Sequence, residues 1–252
     1  MQGYGRVFSK VYNLLWNDFA DRIAPLIYDF YIATQNGEAR QPILDLCCGT
    51  GRLSHYFLER DCRVVGLDLS EYMVAHAREN NLEYVVSRQA DFIQGDAVNF
   101  ILDEKFGLVI STYDSLNHLP DEEALQGCFR CVFDVLLDGG YFIFDLNTHA
   151  GLQHWNGIMV RPGDDVYMVN RGMYDEYTVK AWTKITGFVR TENDLYERFD
   201  ETVYNTVFEM AAVQEWLRGT GFRDTYFADG GDLNAPIEEP EKLKRAFLVA
   251  RK

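Results

Sequence analysis

Residues 43–60 read ILDLCCGTGRLSHYFLER: a short apolar run, a turn with Gly49 and Gly51, and then a stretch with helical spacing. A buried strand that turns directly into a helix is the opening unit of a parallel sheet, because parallel strands need a long crossover to return to the same edge. The alternation repeats downstream. Apolar runs at 43–47, 63–67, 84–86, 108–111 and 141–144 are rich in Val, Ile and Leu, as strands covered on both faces should be. Helical patterns start near Gly51, Ser70 and Asp121. Ser70 is an N-cap candidate without a capping box. Asp121 with Glu122 and Glu123 puts negative charge at a helix N-terminus, where the dipole favours it.

The flanks read differently. Residues 1–36 carry apolar positions at helical spacing, from Val7, Val11 and Leu14 through Ile23, Ile27 and Phe30, and predict a helix pair closed by Gly37. After Gly151 the alternation stops, and period-two patterns at 166–171, 174–189 and 194–208 predict an antiparallel ribbon. A helix over 211–218 and strands at 222–227 and 245–251 resume the sheet. The expected class is α/β: a seven-stranded, mostly parallel sheet with helices on both faces, built from residues 37–150 and 209–252. An N-terminal helical cap covers 1–36, and an antiparallel β insertion spans 151–208. Large insertions at the carboxyl ends of a parallel sheet commonly cover a ligand site, so this one is read as a lid or a dimer contact.

Composition narrows the partners. The chain has 252 residues with 39 Asp and Glu against 24 Lys and Arg, a formal charge of -15. That field repels phosphate backbones and anionic headgroups, so neither nucleic acid nor a membrane is an expected partner. With no secretory leader and no apolar stretch near the ~20 residues of a membrane span, a cytoplasmic location is expected. Five cysteines are an odd number, and Cys128 and Cys131 form a lone C-x-x-C without a second ligand pair, so no metal is expected.

The chemistry concentrates at strand ends. Gly49 and Gly51 permit positive φ and close approach of a ligand, and the helix beyond them offers free N–H groups. Asp45, at the end of the first strand, can accept from an ammonium or hydroxyl. Asp68 ends the second strand, the usual place for a carboxylate that takes ribose hydroxyls. Asp91 and Phe92, read as the next strand tip, suit an exocyclic amine and a base face. A dinucleotide fingerprint needs glycines at positions one, three and six. The window from Gly49 reads G-T-G-R-L-S, with Ser54 in the sixth place, and the window from Cys47 also fails. A cofactor without a pyrophosphate fits better.

Together, DLCCGTGR, VVGLDLSEYM, ADF, FGLVISTYDSLNHL and LLDGGYFIFD resemble the class I S-adenosylmethionine-dependent methyltransferases, over about 40–147 and more weakly the last 45 residues. The resemblance implies a Rossmann-like fold and S-adenosyl-L-methionine as cofactor. It implies the methionine portion near Asp45, Cys47, Gly49 and Gly51, the ribose on Asp68, and the adenine among Leu69, Met73, Asp91 and Phe92. Thr112 and Tyr113 would flank the transferable methyl group. Cys47 stands where the family loop commonly has its first glycine.

On the substrate side, the loop YDSLNHL, the tyrosine-bearing N-terminal helices and the antiparallel insert resemble small-molecule methyltransferases, particularly amino-sugar N-methyltransferases. The resemblance implies that His118 faces the acceptor and that Tyr12 lies over the cofactor. There an aromatic face gains roughly 0.5–2 kcal/mol near a sulfonium or ammonium. Asn147, at the tip of the fifth strand, sits where the family places acceptor contacts. Arg171 and Tyr174 on the insert read equally as substrate-selecting residues and as part of a homodimer contact. The expected function is methyl transfer to N or O of a small molecule. The alternatives are a catalytically silent adenosylmethionine-binding interaction module and a methyltransferase acting on a protein.

Overall fold

The computed structural model describes residues 4–252; the first three residues of the expected cap lie outside the described residues. The cap begins with α1 (Arg6–Leu15), α2 (Asp18–Ile32) and the short α3 (Gln35–Glu38). The alternating core follows: β1 (Ile43–Leu46), α4 (Arg52–Leu58), β2 (Val64–Asp68), α5 (Glu71–Asn80), α6 (Leu82–Val86), β3 (Ala90–Gln94) and β4 (Phe106–Ser111). Then come α7 (Glu122–Val135), β5 (Leu136–Asn147) and the short α8 (His149–Leu152). Four strands form a separate antiparallel sheet: β6 (Gly157–Arg161), β7 (Val166–Asp175), β8 (Lys180–Arg190) and β9 (Tyr196–Thr206). The chain closes with α9 (Met210–Thr220), β10 (Arg223–Asp229), β11 (Asp232–Ile237) and β12 (Arg245–Arg251).

The large sheet has the order β11-β10-β12-β5-β4-β1-β2-β3, parallel from β5 to β3 and antiparallel at the other edge. It has eight strands where seven are expected. The additional one is β11, a polar edge strand containing Pro236; an edge tolerates proline because no neighbour needs its missing N–H. Both faces are covered. Leu44, Phe142 and Phe144 pack toward the side holding α7 and α9, while Ile43, Ile110 and Ile143 pack toward α2, α4 and α5. Neighbouring strand residues point to opposite faces, so apolar residues in succession mean a sheet buried on both sides.

One expected strand is a helix. Residues 84–86 belong to α6, and β3 starts after Arg88, whose φ of 64° turns the chain. In the β3 sequence ADFIQ, buried Ala90 and Phe92 stand on either side of exposed Asp91, a period-two signal that the apolar YVV run lacks. In the insertion, the expected strand over 174–189 is interrupted by a turn at 176–179, and β6 adds an edge. The N-cap reading of Ser70 appears as a contact, its Oγ accepting from Met73 N, and Asp121, expected as charge at the start of α7, also caps that helix, its Oδ1 accepting from Ala124 N at 2.9 Å.

The antiparallel sheet turns one face toward α1. Phe8 and Val11 from the helix are buried against Val166, Met168, Val189 and Phe199, each such side chain contributing roughly 1.5–3 kcal/mol. α1 also packs on α5, and so links the insert to the parallel sheet across the carboxyl ends of its strands. No helix among the described residues is long and apolar enough to cross a membrane.

Candidate active site

In this strand order the chain leaves β1 and β4 in opposite directions, which opens a crevice at their carboxyl ends. The loop after β1 forms its floor. Three residues there adopt left-handed backbone, Cys47 (φ 62°), Gly49 (φ 55°) and Gly51 (φ 74°), and bend the chain into α4. At Gly51 a Cβ would lie 2.7 Å from Asn81 Nδ2 and 3.2 Å from the Ala77 backbone, so only glycine packs there. At Gly49 a Cβ would meet only the Tyr12 ring, at 3.8 Å, and its open side belongs to the cavity. Cys47 holds the same left-handed geometry with a side chain, at a cost of about 1–2 kcal/mol. Burial pushes the Cys47 and Cys48 thiols up, so neither is a ready nucleophile.

Asp68 ties this floor together. Its Oδ2 accepts from Gly49 N and its Oδ1 from Ser70 N, both at 2.9 Å. A carboxylate offers about four lone-pair positions, which leaves capacity on each oxygen for a ligand hydroxyl. Burial raises the Asp68 pKa, and the two backbone N–H groups hold it back.

Asp45 lies behind the loop, buried, and off the cavity wall, where it accepts from Ser54 Oγ at 2.6 Å. Burial raises its pKa from 3.8 to about 7 despite that bond. Below pH ~4 the group is neutral both folded and unfolded; between ~4 and ~7 the unfolded chain has released a proton that the folded chain retains, which favours unfolding by ~1.4 kcal/mol per pH unit. Asp45→Asn is therefore expected to raise stability at pH 8 by a few kcal/mol and to change little at pH 4. Urea unfolding at the two pH values reads this, and an equal effect at both contradicts it.

The loop after β4 forms the opposite rim. Tyr113 (φ 65°) and Asp114 (φ 51°) are left-handed in succession, and a fully buried carboxylate, Asp145 on β5, holds the turn by accepting from both backbone N–H groups. Arg245 on β12 bridges Asp145 and Asp114, the latter at 2.6 Å, and its guanidinium lies 4.9 Å from the Phe19 ring centre and 5.4 Å from that of Tyr113. Burial opposes the arginine's charge, but the two carboxylates outweigh it and hold its pKa up. Farther along, His118 Nδ1 lies 2.8 Å from the Tyr204 carbonyl on β9. A carbonyl only accepts, so Nδ1 carries the hydrogen and, in the neutral ring, Nε2 keeps the lone pair.

Between these rims and the inner face of the antiparallel sheet lies a cavity of about 920 Å³. Cys47, Gly49, Asp68 and Leu69 line one end, and Tyr4, Tyr12, Trp16 and Tyr113 give it an aromatic flank. Tyr12 and Trp16 stack at 5.5 Å, with planes 6° apart. Burial drives the Tyr12 hydroxyl pKa well up, so at neutral pH it is a phenol that can donate but cannot take a proton.

Several expected site residues lie elsewhere. Met73 is fully buried in α5, and Thr112 stands behind the wall with its carbonyl bonded to Ser115 Oγ. Asp91 is exposed at the start of β3, and Phe92 is buried against Gly66, so neither reaches the crevice. The residue in register with Asp68 is Gln94, followed by Gly95 and Asp96 at the strand tip. Asn147 is buried off the wall, its N–H bonded to Asn117 Oδ1 at 2.8 Å. Arg171 falls on the outer face of β7, since its neighbours Asn170 and Gly172 line the cavity. Tyr174 is on the inner phase of β7, but its hydroxyl is 2.6 Å from His149 Nε2 and it does not line the cavity. Asp114, Glu201, Asn205 and Arg245, which do, went unread in the sequence.

Residues 43–140 match the family model described as a methyltransferase domain. The chain is 32% identical over 192 residues to the dTDP-3-amino-3,4,6-trideoxy-alpha-D-glucopyranose N,N-dimethyltransferase of Streptomyces venezuelae, covering 75% of this chain and 78% of that one. The chain belongs to the S-adenosylmethionine-dependent methyltransferases. Among solved structures, a methyltransferase of Clostridium acetobutylicum superposes with a TM-score of 0.77 at 22% identity, covering 97% of both chains. The sugar N-methyltransferase KedS8 of Streptoalloteichus gives 0.78 at 19% identity, covering 100% of this chain and 95% of the other. The site suits the family cofactor on its own chemistry. Asp68 has free acceptor capacity toward a diol, the open backbone at Gly49 admits close approach, and the aromatic flank favours a sulfonium.

Proposed function

We propose that this methyltransferase acts on the nitrogen of a small-molecule amine of the amino-sugar kind, with the cofactor at the Asp68 end of the cavity and the acceptor against β7–β9. The observation that carries this reading is the continuous cavity of about 920 Å³. It lies near the top of the roughly 300–1,000 Å³ range of small-molecule sites, room for two such molecules side by side. The relative from Streptomyces venezuelae, which bears an amino sugar in its name, supports the acceptor class.

The cofactor supplies an electrophilic methyl group on a sulfonium centre. The protein's own task is to align a nitrogen lone pair with that carbon and to exclude water, and such positioning supplies most of the rate. The aromatic flank and α1 exclude solvent. An amine that arrives protonated must first lose a proton, which His118 Nε2 can accept while the Tyr204 carbonyl steadies the imidazolium through Nδ1.

Incubation with radiolabelled S-adenosylmethionine and the dTDP-linked 3-amino sugar is expected to move label into the sugar. His118→Asn keeps a donor toward the Tyr204 carbonyl but no base, and is expected to lower kcat by about 100-fold with little change in KM. Label appearing only in protein acceptors contradicts the reading.

A further inference from the structure

Asn205 sits near the end of β9 with its side chain on the cavity wall. It is 3% exposed, and neither its Nδ2 nor its Oδ1 has a hydrogen-bond partner among the described residues. A buried carboxamide with both ends unpaired costs stability, and side chains in that state are rare unless something else completes them. Its surroundings hold it still. On one side the Tyr204 carbonyl is bonded to His118; on the other the Thr206 carbonyl accepts from Asn117 Nδ2 at 2.9 Å. Across the sheet stands Ala181.

We propose that Asn205 is the specificity-determining residue for the acceptor, gripping a neutral pair of groups, one donor and one acceptor on adjacent atoms, as in a vicinal amino alcohol or diol. This rests on reading the β7–β9 end of the cavity as the acceptor site. A carboxamide presents a donor and an acceptor about 2.3 Å apart on one edge, and it matches groups on neighbouring carbons. It cannot satisfy an ionic group, and the nearby Glu201 carboxylate already accepts from Gly5 N at 3.1 Å. The cavity is thereby selective for the carbon frame bearing the nucleophile, one residue from the carbonyl that holds His118.

The test uses the full chain saturated with S-adenosylhomocysteine, titrated with trans-1,2-cyclohexanediol and cyclohexanol. The wild-type protein is expected to prefer the diol by about tenfold, as the second neutral hydrogen bond allows. Asn205→Leu and the smaller Asn205→Ala are both expected to lose that preference, with S-adenosylhomocysteine affinity unchanged. Without ligand, Asn205→Leu is expected to raise Tm by about 3–8 °C, because it removes an unpaired amide at nearly constant volume. A purely structural or water-bonded amide lowers Tm on the same change. Absence of preference in the wild type, preference retained in a variant, or a fall in Tm for Asn205→Leu overturns the proposal. Failure of methyl transfer to the amino sugar with the preference intact removes the amino-sugar reading and leaves Asn205 in place.

Discussion

Arg245→Met is expected to destabilise the protein by about 3–5 kcal/mol at pH 7, the usual range when one partner of a buried ion network is removed. The reason is what stays behind. Asp145 is fully buried and Asp114 nearly so, and both face the arginine that is lost. Burial already pushes the Asp145 carboxyl up, with Arg245 opposing. Without the guanidinium, protonation becomes the remaining relief, so the folded state takes up protons that the unfolded chain releases. The stability loss is then larger at pH 8 than at pH 5. Function follows, because Asp145 holds the turn that carries Tyr113 and leads to His118. Urea unfolding at both pH values reads the effect, and a loss under ~1 kcal/mol at pH 8 contradicts it. Adding Asp114→Asn should recover part of that loss, since it removes one of the two carboxylates left facing each other while Asp145 keeps its two backbone N–H partners.

Asp68→Asn is expected to weaken S-adenosylhomocysteine binding by about 100-fold or more. A hydrogen bond to a charged group is worth about 1.5–3 kcal/mol, and the change removes more than the ligand's own bond. Asp68 accepts from Gly49 N on one oxygen and Ser70 N on the other. An asparagine keeps one acceptor and turns a donor toward the second N–H, so the glycine loop or the start of α5 must shift. Calorimetric titration measures the loss, and a change below threefold contradicts the role.

How far the sequence carried depended on whether the signal was local. The glycine turn, the carboxylate ending β2, the cap at Ser70 and the acidic start of α7 at Asp121 each depend on residues within one turn of chain, and all were legible. Residues 84–86 were not, because three apolar residues carry no period and a short helix uses them as readily as a strand. That misplacement carried Asp91 and Phe92 with it, since the tip of β3 lies at Gln94. As a substrate contact, Arg171 was misplaced for a phase reason. A strand's alternation tells which residues share a face, and only the packing of α1 on Val166 and Met168 shows which face is inside. Asp114, Asp145 and Arg245 are separated by up to 131 positions, and Asn205 is distinguished by the partners it lacks. Neither feature leaves a local pattern. The eighth strand, polar and with a proline, resembles a loop until its neighbour is known.

In the proposed function one cavity has two ends, a cofactor end at Asp68 and an acceptor end at Asn205. Parallel calorimetric titration of S-adenosylhomocysteine into the wild-type protein, Asp68→Asn and Asn205→Leu tests it most directly. Micromolar binding to the wild type, a loss of about 100-fold in Asp68→Asn and unchanged affinity in Asn205→Leu is the expected result. Equal losses in the two variants, or a loss confined to Asn205→Leu, contradicts the division of the cavity.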